Sequence, residues 1–189
     1  TRPWIGVAVL ITSDKAYRNV EWCWGYRETD ALGGHDPYSG SKGCAELVAH
    51  SYYHSFLRHT PSRMATARAG NVVGGGDWAD DRLVPDCIRA WSKGDSVAVR
   101  NPQATRPWQH VLEPLSGYLW LGARLWQGDG GLNGEAFNFG PDAGDSQTVA
   151  GLLGGMADRW PGARWRILEG CDQGGDEARL LKLSCDKAL

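Results

Sequence analysis

Several features that would assign the chain to a specialised class are missing from its sequence. The longest apolar run, Val7 to Ile11, is far shorter than the roughly 20 residues that a membrane-spanning helix needs. Lys and Arg together number 20 against 22 Asp and Glu, so no basic surface is available to bind a nucleic-acid backbone. We therefore expect no membrane and no nucleic-acid partner.

Cysteine pairing is absent as well. The five cysteines include no CxxC pair, which argues against a disulfide framework and against a zinc site. His50 and His54 are four residues apart, but no third metal ligand accompanies them. We therefore predict no metal, reduced thiols and a cytoplasmic location.

Tryptophan, in contrast, is abundant, with ten in 189 residues. Because Trp is costly to leave exposed, we predict core or interface packing where it lies in apolar periodic segments, and proximity to a ligand where it lies in polar stretches. The first group is Trp120, Trp126, Trp160 and Trp165, and the second is Trp22, Trp24, Trp78 and Trp108.

Strand-like and helix-like patterns alternate along the chain, which predicts an α/β fold with a mostly parallel sheet. The continuous β-branched run that begins at Val7 is typical of a strand buried on both faces. Predicted strands are 7–12, 63–69, 96–100, 136–139 and 163–168, and predicted helices are 37–57, 84–92, 114–126 and 149–160.

Tyr38 and Lys42 form the first candidate catalytic pair. Asp36 and Pro37 mark the start of a helix, and the spacing of four places both side chains on one face of it. The ammonium then favours the ionised form of the phenol, which can act as a general base. Taken alone, the pair could equally be an ordinary Tyr and Lys on a solvated helix face.

Ser13, Asp14 and Lys15 form the second candidate group. They follow the first predicted strand directly, and open α/β sheets bind ligands at the carboxyl ends of their strands. A hydroxyl, a carboxylate and an ammonium therefore converge at a site-forming edge. The alternative is a loop capped by Ser and Asp, with Lys15 extending to solvent.

Together these motifs resemble the extended short-chain dehydrogenase/reductase family, whose active site joins a strand-end Ser or Thr to a Tyr-x-x-x-Lys helix. Within that family the chain is similar to the nucleotide-sugar 4,6-dehydratases, and the Asp14-Lys15 pair resembles the branch that acts on CDP-glucose. The segments that carry the resemblance are TSDKAY at 12–17, EWCWGYRE at 21–28, DPY at 36–38, AGNVVGGGDW at 69–78 and RPWQHV at 106–111.

The resemblance implies a lyase that uses NAD as a transient hydride carrier. Tyr38, helped by Lys42 and Ser13, would remove the proton of the sugar 4-hydroxyl, and Tyr38 and Lys42 would also contact the cofactor. Asp14 would protonate the departing 6-hydroxyl, and Lys15 would remove the C5 proton. A base must first lose its proton, and the negative charge of the neighbouring Asp14 favours the protonated form of Lys15 instead.

The resemblance also assigns the substrate contacts. Arg82 and Arg106 would bind the diphosphate of CDP-glucose through bidentate hydrogen bonds, with Asn71 and His110 nearby. A surface ion pair is the alternative for either arginine, for example between Arg82 and a neighbouring aspartate.

Part of the family's usual architecture lacks a counterpart here. The chain begins without Met and reaches a late strand at once, so we expect the glycine-rich βα units and the extreme C-terminus to be absent, and this polypeptide to bind NAD poorly by itself. The fold class is then the C-terminal part of a Rossmann-like doubly wound parallel sheet plus a smaller substrate-binding region. Residues 1–72 and 106–140 would form the NAD-binding part, and 73–105 and 141–189 the nucleotide-sugar region.

Two other functions stay open at this point. A nucleotide-sugar 4-epimerase needs only Ser13, Tyr38 and Lys42, whereas a dehydratase also needs Asp14 and Lys15. A non-catalytic fragment is the second alternative. The predicted helix from Tyr38 is apolar on more than one side, which indicates a homodimer interface and agrees with the family.

Overall fold

A computed structural model describes residues 5–168 and 180–189 of the chain. Its strands are β1 (Val7–Ile11), β2 (Arg63–Ala69), β3 (Val72–Val73), β4 (Ser96–Val99), β5 (Thr105–Arg106), β6 (Gln109–His110), β7 (Ala136–Phe139), β8 (Gln147–Thr148) and β9 (Arg164–Ile167). Its α-helices are α1 (Pro37–Tyr52), α2 (Leu83–Ser92), α3 (Leu112–Gln127) and α4 (Val149–Ala157).

The main sheet has the strand order β1-β2-β7, and both of its strand pairs are parallel. Helix α1 connects β1 to β2, so these three elements form the βαβ unit that the sequence predicts. Three two-stranded pairs accompany this sheet: β3-β6 and β4-β9 are parallel, and β5-β8 is antiparallel. The α/β fold with mostly parallel strands is therefore confirmed.

Strand β1 differs from the prediction that both of its faces are buried. Leu10 is 40% exposed and Ile11 is 50% exposed. Within the described residues β1 lies at the edge of the sheet and pairs only with β2, so it has a neighbour on one side. The prediction of a fully buried strand is therefore wrong for this part of the chain.

Helix α1 begins at the residues that the sequence indicates. The Asp36 carboxylate accepts a hydrogen bond of 2.9 Å from the Ser39 backbone N–H, and Pro37 occupies the first turn, where its missing N–H costs nothing. The α-helix continues into a π-helical turn, Tyr53–Leu57, so the helical segment ends where the prediction placed it.

Among the described residues, a small apolar cluster of Tyr17, Tyr26, Leu181 and Leu183 accompanies two larger ones. One packs α3 on the main sheet through Ala65, Leu121, Leu125 and Phe137, and the other joins α2, α4, β4 and β9. Trp160 and Trp165 pack against the second cluster, as predicted.

Trp120 and Trp126, in contrast, are 64% and 71% exposed, so core packing is wrong for them within the described residues, and interface packing stays a prediction. Leu121 and Leu125 are four residues apart and occupy the inner face of α3, which leaves the two tryptophans on its outer face.

No helix in residues 5–168 and 180–189 has the length and apolar character needed to cross a membrane. The same residues contain no group of three or more His, Cys, Asp or Glu side chains arranged to hold a metal ion.

Candidate active site

Two adjoining cavities open at the carboxyl ends of β1 and β2. The larger, of about 1000 Å³, is lined by Ser13, Asp14, Lys15 and Tyr38. The smaller, of about 700 Å³, extends towards the end of β4 and contains Arg106 in its wall. The glycine-rich loop that follows β2 lies in the walls of both cavities, so the two cavities share this loop as a boundary. The structure therefore brings Tyr38 of the first predicted group and all three residues of the second to one cavity.

A single 3₁₀ turn, Asp14–Ala16, orients the residues that follow β1. The Ser13 hydroxyl accepts a hydrogen bond of 3.2 Å from the Lys15 backbone N–H and donates one of 3.0 Å to Asp14 Oδ1. Ser13 thus caps the turn and contacts the neighbouring acid at the same time.

Asp14 is the most perturbed acid of this cavity. It is only 4% exposed, and its Oδ2 atom has no hydrogen-bond partner among the described residues. Burial raises the pKa of Asp14, although the Ser13 hydroxyl and the Lys15 charge act in the opposite direction. A buried carboxyl of this kind is suited to hold a proton and donate it to a leaving group.

Tyr38 and Lys42 lie together near the start of α1. Lys42 Nζ is 5.5 Å from the centroid of the Tyr38 ring, and Tyr38 is 55% exposed towards the larger cavity. The predicted one-face arrangement is therefore present. Lys42 itself is half-buried beside the ring and does not line either cavity.

The glycine-rich loop, residues 70–77, and the residue that precedes α2 each contribute one predicted substrate contact. Asn71 and Arg82 line both cavities. At Gly74 an added Cβ would lie 2.5 Å from Val111 Cγ1, so the close approach of this loop to the start of α3 requires glycine. Trp78 and Trp108 line the smaller cavity, whereas Trp22 and Trp24 line neither.

Arg106 and His110 differ in their placement. Arg106 is 4% exposed, lies in the wall of the smaller cavity, donates a 2.9 Å hydrogen bond to the Thr105 carbonyl and acts electrostatically on Asp14. His110 lines neither cavity, and its Nδ1 atom accepts a hydrogen bond of 3.3 Å from the Leu112 N–H. The structure therefore groups Arg106, but not His110, with the other predicted residues.

Four buried polar residues close to the site were not predicted from the sequence: Tyr17, Glu46, Arg68 and Asn138. A signal for Glu46 exists, because it follows Lys42 by four residues on the helix that carries the predicted Tyr38-Lys42 pair. Arg68 is a charged residue inside a short strand, which is unusual without a partner. Tyr118, which lines the larger cavity from α3, was also missed, and no local pattern marks it.

Comparison with known proteins agrees with this geometry. The chain is 49% identical over 190 aligned positions to CDP-glucose 4,6-dehydratase of Salmonella typhimurium; the alignment covers 97% of the chain and 52% of that protein. The chain thus spans about half the length of this relative. No family model matches the sequence.

Solved structures show the same fold at lower identity. A dTDP-glucose 4,6-dehydratase from Streptomyces venezuelae, DesIV, in complex with NAD and DAU, has a TM-score of 0.73 at 20% identity and is matched over 97% of this chain and 52% of its own. A UDP-glucuronic acid 4-epimerase from Bacillus cereus has a TM-score of 0.79 at 15% identity, over 96% and 54%. A UDP-N-acetylglucosamine 4-epimerase from Methanobrevibacter ruminantium has a TM-score of 0.77 at 19% identity, over 97% and 55%.

The fold, the Ser13 and Tyr38-Lys42 geometry and the sequence relationship therefore agree: over 97% of its length, the chain is similar to about half of a CDP-glucose 4,6-dehydratase.

Proposed function

We propose that this chain carries the catalytic residues of an NAD-dependent 4,6-dehydratase that converts CDP-glucose to CDP-4-keto-6-deoxyglucose. The observation that carries the proposal is the buried Asp14, which lies in one cavity with Ser13, Lys15 and Tyr38 and whose pKa is raised by burial. An epimerase has no step that needs such an acid, whereas a dehydratase must protonate a departing hydroxyl.

The first step uses Tyr38 as a general base. Its phenol would remove the proton of the sugar 4-hydroxyl, with the Lys42 ammonium close enough to stabilise the phenolate and the Ser13 hydroxyl able to hold the sugar oxygen. Tyr38 and Lys42 fit NAD as well, because a phenol and an ammonium side by side can both bond ribose hydroxyls. When bound, NAD supplies the acceptor for the C4 hydride and returns that hydride to C6.

The second step is the loss of water. The 4-ketone makes the C5 proton acidic, and Lys15 is the group beside Asp14 that would remove it. Asp14, protonated because it is buried, would give its proton to the departing 6-hydroxyl. Lys15 must be a neutral amine to accept the C5 proton, so the step converts a neutral Lys15-Asp14 pair into an adjacent ammonium and carboxylate, whose opposite charges attract each other.

Substrate binding follows the shape of the two cavities. A nucleotide sugar is a linear molecule, so a sugar placed at Tyr38 directs its diphosphate along the glycine-rich loop towards Arg82 and Arg106. Asn71 lines both cavities and lies between these ends. We also retain His110 as a predicted contact, although it would have to reach the substrate from outside both cavities.

The test uses a chimera in which this chain replaces the matching half of the Salmonella relative. Incubated with NAD and CDP-glucose, it should give a product that has lost one water, measured by mass spectrometry. A product of unchanged mass with inverted C4, seen by NMR, would instead identify an epimerase. No product, with the intact relative active in parallel, would favour a non-catalytic fragment. dTDP-glucose in a second reaction tests the nucleotide.

The chain alone provides a further test of the NAD prediction. We propose that the 189-residue polypeptide binds NAD only weakly, so calorimetric titration should show no saturable binding at concentrations where the chimera binds fully. Tight binding to the isolated chain would contradict this. The cytoplasmic location stays a prediction from the cysteine pattern.

We also propose a homodimer that forms through α1. Four apolar side chains are each more than half exposed along this helix and its π-helical turn: Leu47, Val48, Tyr52 and Phe56. Such a face is costly in water, and an isologous contact with a second copy would cover it. Val48→Glu should convert a dimeric chimera to monomers in sedimentation velocity, whereas the same change at exposed Val20 should not.

A further inference from the structure

A buried ion pair joins α1 to β2 directly beneath the candidate active site. Glu46 is 4% exposed and Arg68 is 3% exposed. Arg68 Nε donates to Glu46 Oε1 at 2.9 Å and Arg68 Nη2 donates to Glu46 Oε2 at 3.0 Å, so the contact is bidentate. Paired guanidinium and carboxylate groups with this geometry fix the direction of both side chains.

Glu46 also reaches the amino end of the 3₁₀ turn Asp14–Ala16, which we call the catalytic turn because it carries two of the proposed catalytic residues. The Thr12 hydroxyl donates to Glu46 Oε1, and the Thr66 hydroxyl donates to Oε2 at 2.9 Å. Thr12 directly precedes Ser13, so a group on α1 holds the residue from which the turn starts. Because the carboxylate accepts four hydrogen bonds, the pKa of Glu46 is lowered despite its burial.

Arg68 reaches the other end of the same turn. Its Nη1 atom donates at 2.8 Å to the hydroxyl of Tyr17, which in turn donates at 2.7 Å to Asn138 Oδ1. Tyr17 directly follows the 3₁₀ turn that carries Asp14 and Lys15. The ion pair therefore contacts both flanking residues of the catalytic turn, Thr12 on one side and Tyr17 on the other.

The Glu46-Arg68 pair also constrains the position of Tyr38, the proposed general base. Glu46 follows Lys42 by four residues and Tyr38 by eight, so the three side chains share one side of α1. With Glu46 fixed to the strands, the rotation and height of α1 against the sheet are fixed as well. The distance between the Ser13 turn and Tyr38 thus depends on this buried contact as well as on the direct packing of α1 against the turn.

We propose that Glu46 and Arg68 are positioning residues that hold the acid-bearing turn and the Tyr38-Lys42 helix in register. This inference rests on the proposed dehydratase function for its kinetic consequence, but its structural part can be tested without catalysis. Neither residue lines the two cavities, so any effect on turnover must pass through the groups that they hold.

The kinetic test is the double variant Glu46→Leu/Arg68→Met in the chimera. Replacing a buried ion pair by apolar residues of similar size is often neutral for stability, so the variant should still unfold cooperatively. Because displacement by about 1 Å can cost about 100-fold in rate, we expect kcat to fall by roughly 10- to 100-fold. The KM for CDP-glucose should change by less than about two-fold, since substrate contacts remain.

A matched control removes an ion pair elsewhere. Arg124 and Asp129 are joined by a 2.8 Å contact on the far end of α3, and Arg124→Met/Asp129→Leu should leave kcat and KM unchanged. If the Glu46 double variant does not unfold cooperatively, Thr12→Val carries the same test, because it removes one bond to Glu46 and keeps the ion pair. Unchanged kcat in a folded variant would overturn the proposal.

Hydrogen exchange on the 189-residue chain tests the positioning role independently of catalysis. The amide N–H groups of Lys15, Ala16 and Tyr17 all donate within the turn. In the double variant these three should exchange at least about ten-fold faster while the β2 amides stay protected. Unchanged exchange of the turn would overturn the proposal even if the chimera were active. An inactive parent chimera with faster exchange would reject the proposed function and support the positioning role.

Discussion

The strand ends around Ser13 and the unit formed by α2, α4, β4 and β9 are stabilised in opposite ways. Beneath the catalytic turn, buried polar side chains form directed contacts, as in the Glu46-Arg68 pair, beside small apolar ones such as Ala67. In the second unit the buried side chains are apolar, among them Cys87, Trp91 and Leu153. The two regions belong to one chain, yet they tolerate different changes.

The difference follows from what each region must do. Apolar packing depends on volume and is nearly indifferent to direction, so it forms a wall for a cavity without fixing individual atoms. Hydrogen bonds fix direction but leave a large penalty when one partner is removed. The role that we propose for the Asp14 turn, which is to place an acid beside a sugar carbon, needs the second kind of support.

The largest effect is expected from breaking the polar region on one side only. Arg68→Met leaves the Glu46 carboxylate buried without its main partner, so the free energy of unfolding should fall by about 3 to 5 kcal/mol. Urea denaturation of the 189-residue chain measures this. The double variant Glu46→Leu/Arg68→Met should recover most of the loss, and a single variant as stable as the parent would refute the comparison.

Truncation in the apolar region should cost somewhat less. Leu153 is fully buried in α4, and Leu153→Ala should lower the free energy of unfolding by about 3 kcal/mol, because it removes apolar contacts and leaves a cavity. Leu153→Met keeps the volume and should cost less than about 1.5 kcal/mol. Equal losses for both substitutions would mean that this unit, too, depends on directed contacts.

The effect of pH should separate Asp14 from Glu46. Burial raises the folded-state pKa of Asp14, so its contribution to stability is present at low pH and is lost as pH rises through that pKa. Asp14→Asn should therefore stabilise the chain by about 1 kcal/mol at neutral pH while abolishing loss of water in the chimera. The gain should shrink as pH falls towards the unfolded-state value.

Glu46 has the opposite sign, because its bonds to Arg68 and Thr66 help to lower its folded-state pKa. Its contribution is present above the unfolded-state pKa and is lost as pH falls through the folded-state value. Denaturation midpoints of the parent chain and of the single variants Asp14→Asn and Glu46→Gln should be measured across the acidic range. The difference between each variant and the parent, plotted against pH, should have opposite slopes for the two variants. Parallel slopes would contradict both assignments.

The smallest effects concern a device that both regions share, the capped helix start. Asp36 caps α1, and the Thr148 hydroxyl caps α4 by accepting the Gly151 N–H at 3.0 Å. Asp36→Ala and Thr148→Ala should each cost about 1 kcal/mol in urea denaturation. Only the first loss should fade at low pH, because the Ser39 bonds lower the pKa of Asp36 whereas Thr148 does not titrate.

Regular elements could be predicted where the local pattern decides them. The bounds of β2 and β7 match the predicted strands, and the start of α1 follows from Asp36 and Pro37. The short strands β3 and β5 could not be predicted, because two residues carry no period and pair only through contacts distant in the chain. The exposure of Trp120 and Trp126 was missed because two apolar faces of α3 look equivalent in the sequence.

The candidate site could be predicted in its exposed part. Ser13, Asp14, Lys15 and Tyr38 belong to recognisable motifs, and the structure places all four in one cavity. The roles that we assign to them stay predictions. Glu46 and Arg68 were missed because each looks like an isolated charge, and their separation of 22 positions in the sequence conceals the pairing that explains both.

Asn138 shows how directed hydrogen bonds limit the substitutions that a buried position can accept. Its fully buried amide donates at 2.9 Å to the carbonyls of Tyr26 and Ser184 and accepts at 2.7 Å from Tyr17. Aspartate lacks the donors, glutamine is one methylene too long, and leucine has neither donor nor acceptor. Each of these replacements therefore breaks or displaces contacts to Tyr17, Tyr26 and Ser184, so a single buried amide joins three separate positions of the chain.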